Sequence, residues 1–291
     1  MHIVPGLINF VCKNPYMKNT ISAILFLLLA SCGSNAQHSV IKLWTTDSTL
    51  AVPESVLFDA KNNILYASLI DGAPDSADGN GAIARVGLDG KITNANWVAG
   101  LDAPKGIGKF GNILYTADLT QIDVIDISAG RVITRIPVSG SEFLNDITVD
   151  EKGVVYVSDS KTGRVHKMEG NNVTTYLENL KGPNGLLAVG TDLYVLASGS
   201  LYKADANKKL TLIAEGMDES TDGIEQVAPG EFVISCWSGI VYYVKADGSK
   251  QTLFDTRAEK INSADIGYDS KKKIVYVPTF FAKSVVAYQL K

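Results

Sequence analysis

Apolar and polar residues alternate in short runs along most of the chain, and the runs come in pairs. Six segments share one pattern: a small or polar opening, a short apolar strand, a turn of Asn, Gly, Asp or Lys, and a second strand around an aromatic residue. They are PESVLFDAKNNILYASL from Pro53, APKGIGKFGNILYTADL from Ala103, LNDITVDEKGVVYVSDS from Leu144, PNGLLAVGTDLYVLASG from Pro183, TDGIEQVAPGEFVISCW from Thr221 and SADIGYDSKKKIVYVPT from Ser263. This alternation, with turn residues between the runs, is typical of antiparallel strands and hairpins.

The segments recur about every 40 residues, which is the length of a four-stranded antiparallel blade. A further hairpin follows each of the first five, as in GAIARVGLDGKI and GIVYYVKADGSKQTLF. The sixth is one outer strand short, whereas SVIKLWTT from Ser39 has no partner in its own repeat. Helical patterns of ten or more residues are absent after residue 38, and Ser39–Leu50 is too short for a seventh blade. We therefore predict an all-β fold over residues 39–291, a six-bladed β-propeller of four-stranded blades whose ring is closed by an N-terminal strand.

The first residues differ in kind from the repeats. A basic stretch around Lys13 and Lys18 leads into the apolar run Ile21–Ala30. A run of about ten residues is too short to cross a bilayer, which takes roughly 20, and it predicts a signal peptide over residues 1–31. Met17 is an alternative start of that signal.

Leu29-Ala30-Ser31-Cys32 resembles the bacterial lipobox. The resemblance implies a lipidated Cys32, a linker over residues 32–38, and an exported, membrane-anchored lipoprotein of the bacterial cell envelope. The alternative is an ordinary signal peptide cut elsewhere, with Cys32 incidental.

Charge and cysteine content exclude several partners. The net charge is −4, and acidic and basic residues are interspersed, so no nucleic-acid partner is expected. We expect membrane contact through the lipid anchor only and no oligomer. Cys12 and Cys32 fall in the leading segment, which leaves Cys236 as a small buried hydrophobe without a disulfide.

The second or third residue of each repeat supplies the candidate chemistry, because the innermost strands of a propeller line its central channel. These residues are Glu54, Lys105, Asn145, Asn184, Asp222 and Ala264. Four of the six offer side-chain oxygens, the ligands that Ca²⁺ takes from carboxylates and amides. The pattern predicts a site for Ca²⁺ or another divalent cation, which can polarise a carbonyl or phosphoryl oxygen as a Lewis acid.

The motifs around these residues are similar to the calcium set of the senescence marker protein/gluconolactonase family. They are Glu54 in the first blade, Asn145-Asp146, Pro183-Asn184-Gly185 and Asp222-Gly223; paraoxonases and the squid-type diisopropyl fluorophosphatase share a similar set. The resemblance implies that Glu54, Asn184 and Asp222 bind the metal, that Asn145 faces substrate at its edge, and that Asp222 is also the general base or nucleophile. It implies a calcium-dependent hydrolase of a lactone or similar small ester.

Two residues depart from that family. Phe143 stands where sugar-lactone enzymes of the animal type carry an arginine for substrate. Lys105 brings an ammonium group towards the cation: it would repel the cation, pair with Glu54 and replace it, or act as a catalytic donor to a developing oxyanion.

Two plainer interpretations stay open. Turns select Asn, Asp and Gly for their backbone conformations alone, and a non-enzymatic propeller could bind a protein or glycan at the cell envelope. A cation site filled by Lys105 would favour that binding role. The acidic loop over residues 71–80 is interpreted as a solvated loop above the channel mouth.

Overall fold

The structure is a computed structural model that describes residues 37–291. The predicted signal peptide, the lipidation site Cys32 and most of the linker lie outside the described residues, so they stay predictions. No helix within residues 37–291 is long and apolar enough to cross a membrane. The described helix is a single 3-10 turn over Phe280–Ala282.

The described chain forms β-strands throughout. The first twelve are β1 Val40–Thr45, β2 Pro53–Asp59, β3 Ile64–Leu69, β4 Gly81–Gly87, β5 Ile92–Leu101, β6 Pro104–Phe110, β7 Ile113–Asp118, β8 Gln121–Asp126, β9 Arg131–Pro137, β10 Leu144–Val149, β11 Val155–Asp159 and β12 Arg164–Glu169. The rest are β13 Asn172–Leu177, β14 Pro183–Val189, β15 Asp192–Ala197, β16 Ser200–Ala204, β17 Leu210–Ala214, β18 Thr221–Ala228, β19 Glu231–Cys236, β20 Ile240–Val244, β21 Lys250–Asp255, β22 Gly267–Asp269, β23 Ile274–Pro278 and β24 Val285–Leu290.

These strands form six four-stranded antiparallel sheets, which confirms the predicted six-bladed propeller. Five blades are consecutive in sequence, starting at β2, β6, β10, β14 and β18. The sixth has the order β22-β23-β24-β1, so the N-terminal strand supplies the missing outer strand as predicted. β1 pairs with β24 from Val40↔Leu290 to Thr45↔Val286, and the pairing covers an edge that would otherwise be open to other strands.

The aromatic residues of the second strands pack between blades. Tyr66, Phe232 and Tyr276 are almost fully buried, and Tyr194 of the fourth blade meets Phe232 of the fifth with ring centroids 4.7 Å apart. Large aromatic side chains bury much apolar area, which explains why one recurs at this point of every repeat. Cys236 is a buried free thiol within the same apolar layer, and burial raises its pKa.

Strand direction separates the two ends of the channel. The inner strand β2 runs from Glu54 at one end, here called the mouth, to Asp59 at the other. Glu54 lies level with Asp265, since its carbonyl accepts a hydrogen bond from Asp265 N at 2.9 Å. The inner strand of the sixth blade, β22, ends at the far end with Asp269, which pairs with Ile274. Val40 of β1 lies at this same end, where it pairs with Leu290. The described chain therefore enters the ring at the end opposite to the mouth.

The second blade buries a carboxylate with one distant partner. Asp123 of β8 is fully buried, its Oδ1 has no hydrogen-bond partner within the described protein, and its Oδ2 lies 3.4 Å from Arg135 Nε. Burial, with repulsion from Asp118, raises the pKa of Asp123 from 3.8 to about 7. The folded state thus holds a proton that the unfolded chain releases, and stability is lost as the pH rises from about 4 to about 7.

Asp123→Asn is therefore expected to raise the free energy of unfolding by about 2 kcal/mol at pH 8 and to change it little near pH 4. Urea unfolding at both pH values measures the difference. Asp192→Asn is the matched control, because Asp192 is partly exposed beside Lys203. An equal effect of Asp123→Asn at the two pH values would contradict the buried-charge explanation.

Candidate metal and substrate site

A β-bulge turns the side chain of the second residue of each of the first five inner strands towards the mouth of the channel. Pairing with the second strand shifts register between the first and fourth residues, as between Pro53 and Val56 in β2. The same shift occurs in β6, β10, β14 and β18. The residues that follow the first are Glu54, Lys105, Asn145, Asn184 and Asp222. Bulges redirect side chains and leave backbone groups unpaired in the ladder.

In the first, third and fifth blades, a hydroxyl group on the second strand satisfies the backbone at the bulge. Ser68 Oγ accepts from Ser55 N at 3.0 Å, Ser158 Oγ from Asp146 N at 2.9 Å, and Ser235 Oγ from Gly223 N at 2.9 Å. The backbone is thus paired although the ladder is broken there. The sequence builds the bulge with a small polar residue on the neighbouring strand.

All five redirected side chains line one cavity of about 390 Å³ at the mouth. The rest of its wall is apolar, with Ile70, Pro74 and four aromatic residues. Gly72 and Pro74 belong to the acidic loop, so part of that loop borders the cavity. Ala264, the corresponding residue of the sixth blade, is buried in an apolar cluster and does not line the cavity.

Two buried oxygens in the cavity lack a hydrogen-bond partner within the described protein. They are Glu54 Oε2 and Asn184 Oδ1. The amide of Asn184 is oriented by its other end, since Nδ2 donates to Asp222 Oδ1 at 3.0 Å. An unsatisfied buried acceptor costs about 1–3 kcal/mol, and a bound ion is one accepted explanation of such a group. Carboxylate and amide oxygens are the donors that a hard cation takes.

The mouth is more acidic than the sequence indicated. Burial raises the pKa of Glu54 and of Asp222, and repulsion between the two and from Asp265 adds to the increase at Glu54. Asp265 and Asp146 lie one residue deeper in the channel, where they line a neighbouring cavity, and sequence reasoning missed them. Ser55 Oγ donates to Asp265 Oδ2, and Ile147 N and Leu186 N donate to Asp146. Burial raises the pKa of both, so a cation would relieve repulsion among four carboxyl groups.

Lys105 sits in this acidic site with few direct partners. Its side chain is buried; Nζ donates to Ala103 O at 2.9 Å and lies 4.5 Å from the centre of the Phe143 ring. Burial lowers its pKa, and the charge of Glu54 partly opposes that shift. Among residues 37–291 no ion pair joins Lys105 to Glu54 or Asp222. The geometry therefore does not show Lys105 taking the place of a cation.

Asn145 stands at the edge of the same cavity. Its Nδ2 donates to Ser160 Oγ at 3.1 Å, and Ser160 Oγ in turn donates to Pro183 O at 2.8 Å. This chain of hydrogen bonds fixes the amide of Asn145, which lines the cavity. The predicted ligand set mixes carboxylates with amides; residues 37–291 contain no group of three or more His, Cys, Asp or Glu side chains poised to hold a metal ion.

Comparison with known proteins identifies the fold and not the family. The sequence matches no family model and no curated protein. A solved streptogramin B lyase structure superposes with a TM-score of 0.65 at 8% identity, over 87% of this chain and 98% of that one. A catalytically inactive variant of virginiamycin B lyase from Staphylococcus aureus, solved with quinupristin, gives a TM-score of 0.60 at 12% identity, over 87% of this chain and 99% of that one. The likeness to the gluconolactonase family stays a prediction.

Proposed function

We propose that this chain is a calcium-dependent hydrolase of a lactone or similar small ester. The observation that carries the proposal is the pair of unpartnered buried oxygens, Glu54 Oε2 and Asn184 Oδ1, beside Asp222 in the cavity at the mouth. Glu54, Asn184 and Asp222 would hold the ion. A bound calcium ion supplies Lewis acidity that polarises an ester carbonyl.

The side chains divide the remaining work. Asp222, held by Asn184 Nδ2, takes a proton from a water molecule whose oxygen forms the new bond to the carbonyl carbon. The alternative is direct attack by the Asp222 carboxylate on the carbonyl carbon, which expels the alkoxide to leave as the alcohol and forms a mixed anhydride that water then hydrolyses. In both routes the bond between the carbonyl carbon and the ring or alcohol oxygen breaks, which yields a carboxylic acid and an alcohol.

Lys105 and Asn145 would position the substrate. Lys105 Nζ has further N–H groups beyond the one bound to Ala103 O, and these can donate to the oxygen that becomes negative in the transition state. Asn145 lines the cavity beside it and can bond the substrate. The buried positions of Glu54, Lys105 and Asp222 lower the local dielectric constant, which strengthens each of these electrostatic interactions.

The alternative of a non-enzymatic binding propeller depends on Lys105 filling the cation site. Lys105 makes no ion pair with Glu54 in the described residues, and the Glu54 oxygen remains without a partner, which favours the hydrolase. The solved neighbours named as lyases illustrate that this fold can carry an enzyme, although a fold does not determine a function.

Metal content and stability with and without chelator test the proposal. We expect about one divalent ion per chain, and a rise in the free energy of unfolding of about 2.7 kcal/mol when free calcium is 100 times the dissociation constant. A panel of lactones and esters should be hydrolysed in calcium and left intact in chelator. A chain without metal, with identical unfolding curves in calcium and chelator, would refute the calcium site.

A further inference from the structure

Three aromatic residues of the fifth and sixth blades pack together at the mouth, here called the aromatic wall: Trp237, Phe280 and Phe281. Trp237 lies edge to face with Phe280 and with Phe281, with ring centroids 5.5 Å and 6.1 Å apart. Phe280 and Phe281 are themselves 4.8 Å apart and nearly perpendicular. The wall is thus a packed aromatic surface and not a set of separate side chains.

Part of the wall is exposed to solvent. Phe281 is 63% exposed and Trp237 38% exposed, whereas Phe280 is buried behind them. Single exposed apolar residues are ordinary, but an apolar surface that borders a concave site indicates a ligand-binding surface. Aromatic rings supply large contact area with few rotatable bonds.

The backbone holds this surface in an unusual conformation. Phe280 has φ 48° and Lys283 has φ 58°, and the left-handed region is rare for a bulky residue. Thr279 fixes the turn: its N–H donates to Ser284 O at 2.9 Å, and its Oγ1 accepts from Ser284 N at 3.0 Å. Leu119 and Ser198 also have positive φ at the corresponding points of the second and fourth blades, so this conformation is a feature of the blade that fixes the position of Phe280 and Phe281.

The cavity is divided into a polar floor and an apolar side. Hydrogen-bonding side chains come from the inner strands, while Ile70, Pro74 and the phenylalanines of the wall have none. Hydroxyl groups of a sugar lactone held against this wall would lose water without gaining partners, which is costly. Phe143 stands over Lys105 Nζ at 4.5 Å and adds to the apolar surface.

We propose that the substrate carries an apolar group of aromatic size, which the wall holds while its ester carbonyl lies over Glu54, Asn184 and Asp222. This inference rests on the proposed hydrolase for the position of the carbonyl. The apolar group is inferred from the wall alone. Polyhydroxylated sugar lactones are therefore poor substrates.

A matched pair of lactones tests the inference: γ-phenyl-γ-butyrolactone and γ-hydroxymethyl-γ-butyrolactone, which share one ring. We expect kcat/KM to be about tenfold or more higher for the phenyl compound. Phe281→Ala should lower the value for the phenyl compound about tenfold and change that for the hydroxymethyl compound less than about twofold. Phe110→Ala is the control, since Phe110 is 44% exposed at the far end of β6.

Binding of 2-phenylcyclopentanone, which has no ester bond, separates the two proposals. Calorimetric binding that Phe281→Ala weakens and Phe110→Ala does not would support the apolar site even if no lactone were hydrolysed, an outcome that refutes the hydrolase alone. Hydrolysis of the hydroxymethyl compound as fast as the phenyl compound would overturn the apolar specificity and leave the hydrolase standing.

Discussion

Asp222→Asn is expected to abolish calcium binding and greatly slow hydrolysis while making the metal-free protein more stable. Asparagine keeps the size of the side chain and can still accept the bond from Asn184 Nδ2. The variant removes a buried negative charge that burial and Asp265 already disfavour. In chelator, therefore, the free energy of unfolding should rise, and in calcium the stabilisation expected for the parent protein should be absent.

The largest effect of Asp222→Asn should be on the rate of hydrolysis. A general base typically contributes 10²–10⁴-fold, so we expect kcat/KM for the best lactone to fall about 1000-fold. Calcium titrations followed by urea unfolding, with initial rates on the same samples, measure both effects.

Asp192→Asn provides the matched control for Asp222→Asn. It removes the same charge from a strand of the fourth blade, where Asp192 is paired with Lys203 at 3.2 Å. The control should keep both calcium binding and hydrolysis. If Asp222→Asn instead destabilised the protein in chelator and still bound calcium, Asp222 would have to be a structural residue.

The closure of the ring by the N-terminal strand could be predicted from the sequence, because the strands and turns repeat with one period. The unpaired run at Ser39 and the missing outer strand after β24 fit each other only in a closed ring, and β1 pairs there. The aromatic residue of each second strand marked the same structural position in every blade. Local patterns repeated six times constrain a fold more strongly than any one of them.

The candidate site was predictable in part because equivalent residues of repeats converge on the axis. Glu54, Lys105, Asn145, Asn184 and Asp222 share one cavity as the register indicated. Asp146 escaped notice because regular strand alternation would turn it away from the side of Asn145. The bulges break that alternation, and only the serines that support them, such as Ser158, gave a signal in the sequence.

The aromatic wall could not be derived from the repeats. Phe280 and Phe281 lie beyond the second strand of the sixth blade, in a 3-10 turn that no other blade repeats within the described residues, although Leu119 and Ser198 also have positive φ at the corresponding points. Their position depends on positive φ at Phe280 and on the bonds between Thr279 and Ser284. The periodic sequence pattern does not predict two packed phenylalanines at this point, because tertiary packing decides the conformation of the turn.

Gly185→Ala is expected to destabilise the fold and displace Asp222 at once. A Cβ at Gly185 would clash with the Asp222 carbonyl oxygen and lie 2.8 Å from Leu196 Cδ1. The first of these atoms is backbone, so inner strands β14 and β18 would have to move apart. Overpacking of this kind costs about 3 kcal/mol, and calcium affinity should fall because Asp222 moves with its strand.

Gly190→Ala supplies the comparison that isolates this contact. Gly190 has φ 59°, and no heavy atom beyond its chain neighbours lies within 4 Å of the point where a Cβ would stand. Alanine there should therefore cost only the left-handed backbone, about 1 kcal/mol. Urea unfolding and calcium titration of both variants give the two effects. If Gly185→Ala proved as mild as Gly190→Ala, the inner strands would be free to separate, and close contact between β14 and β18 could not be what sets Asn184 against Asp222.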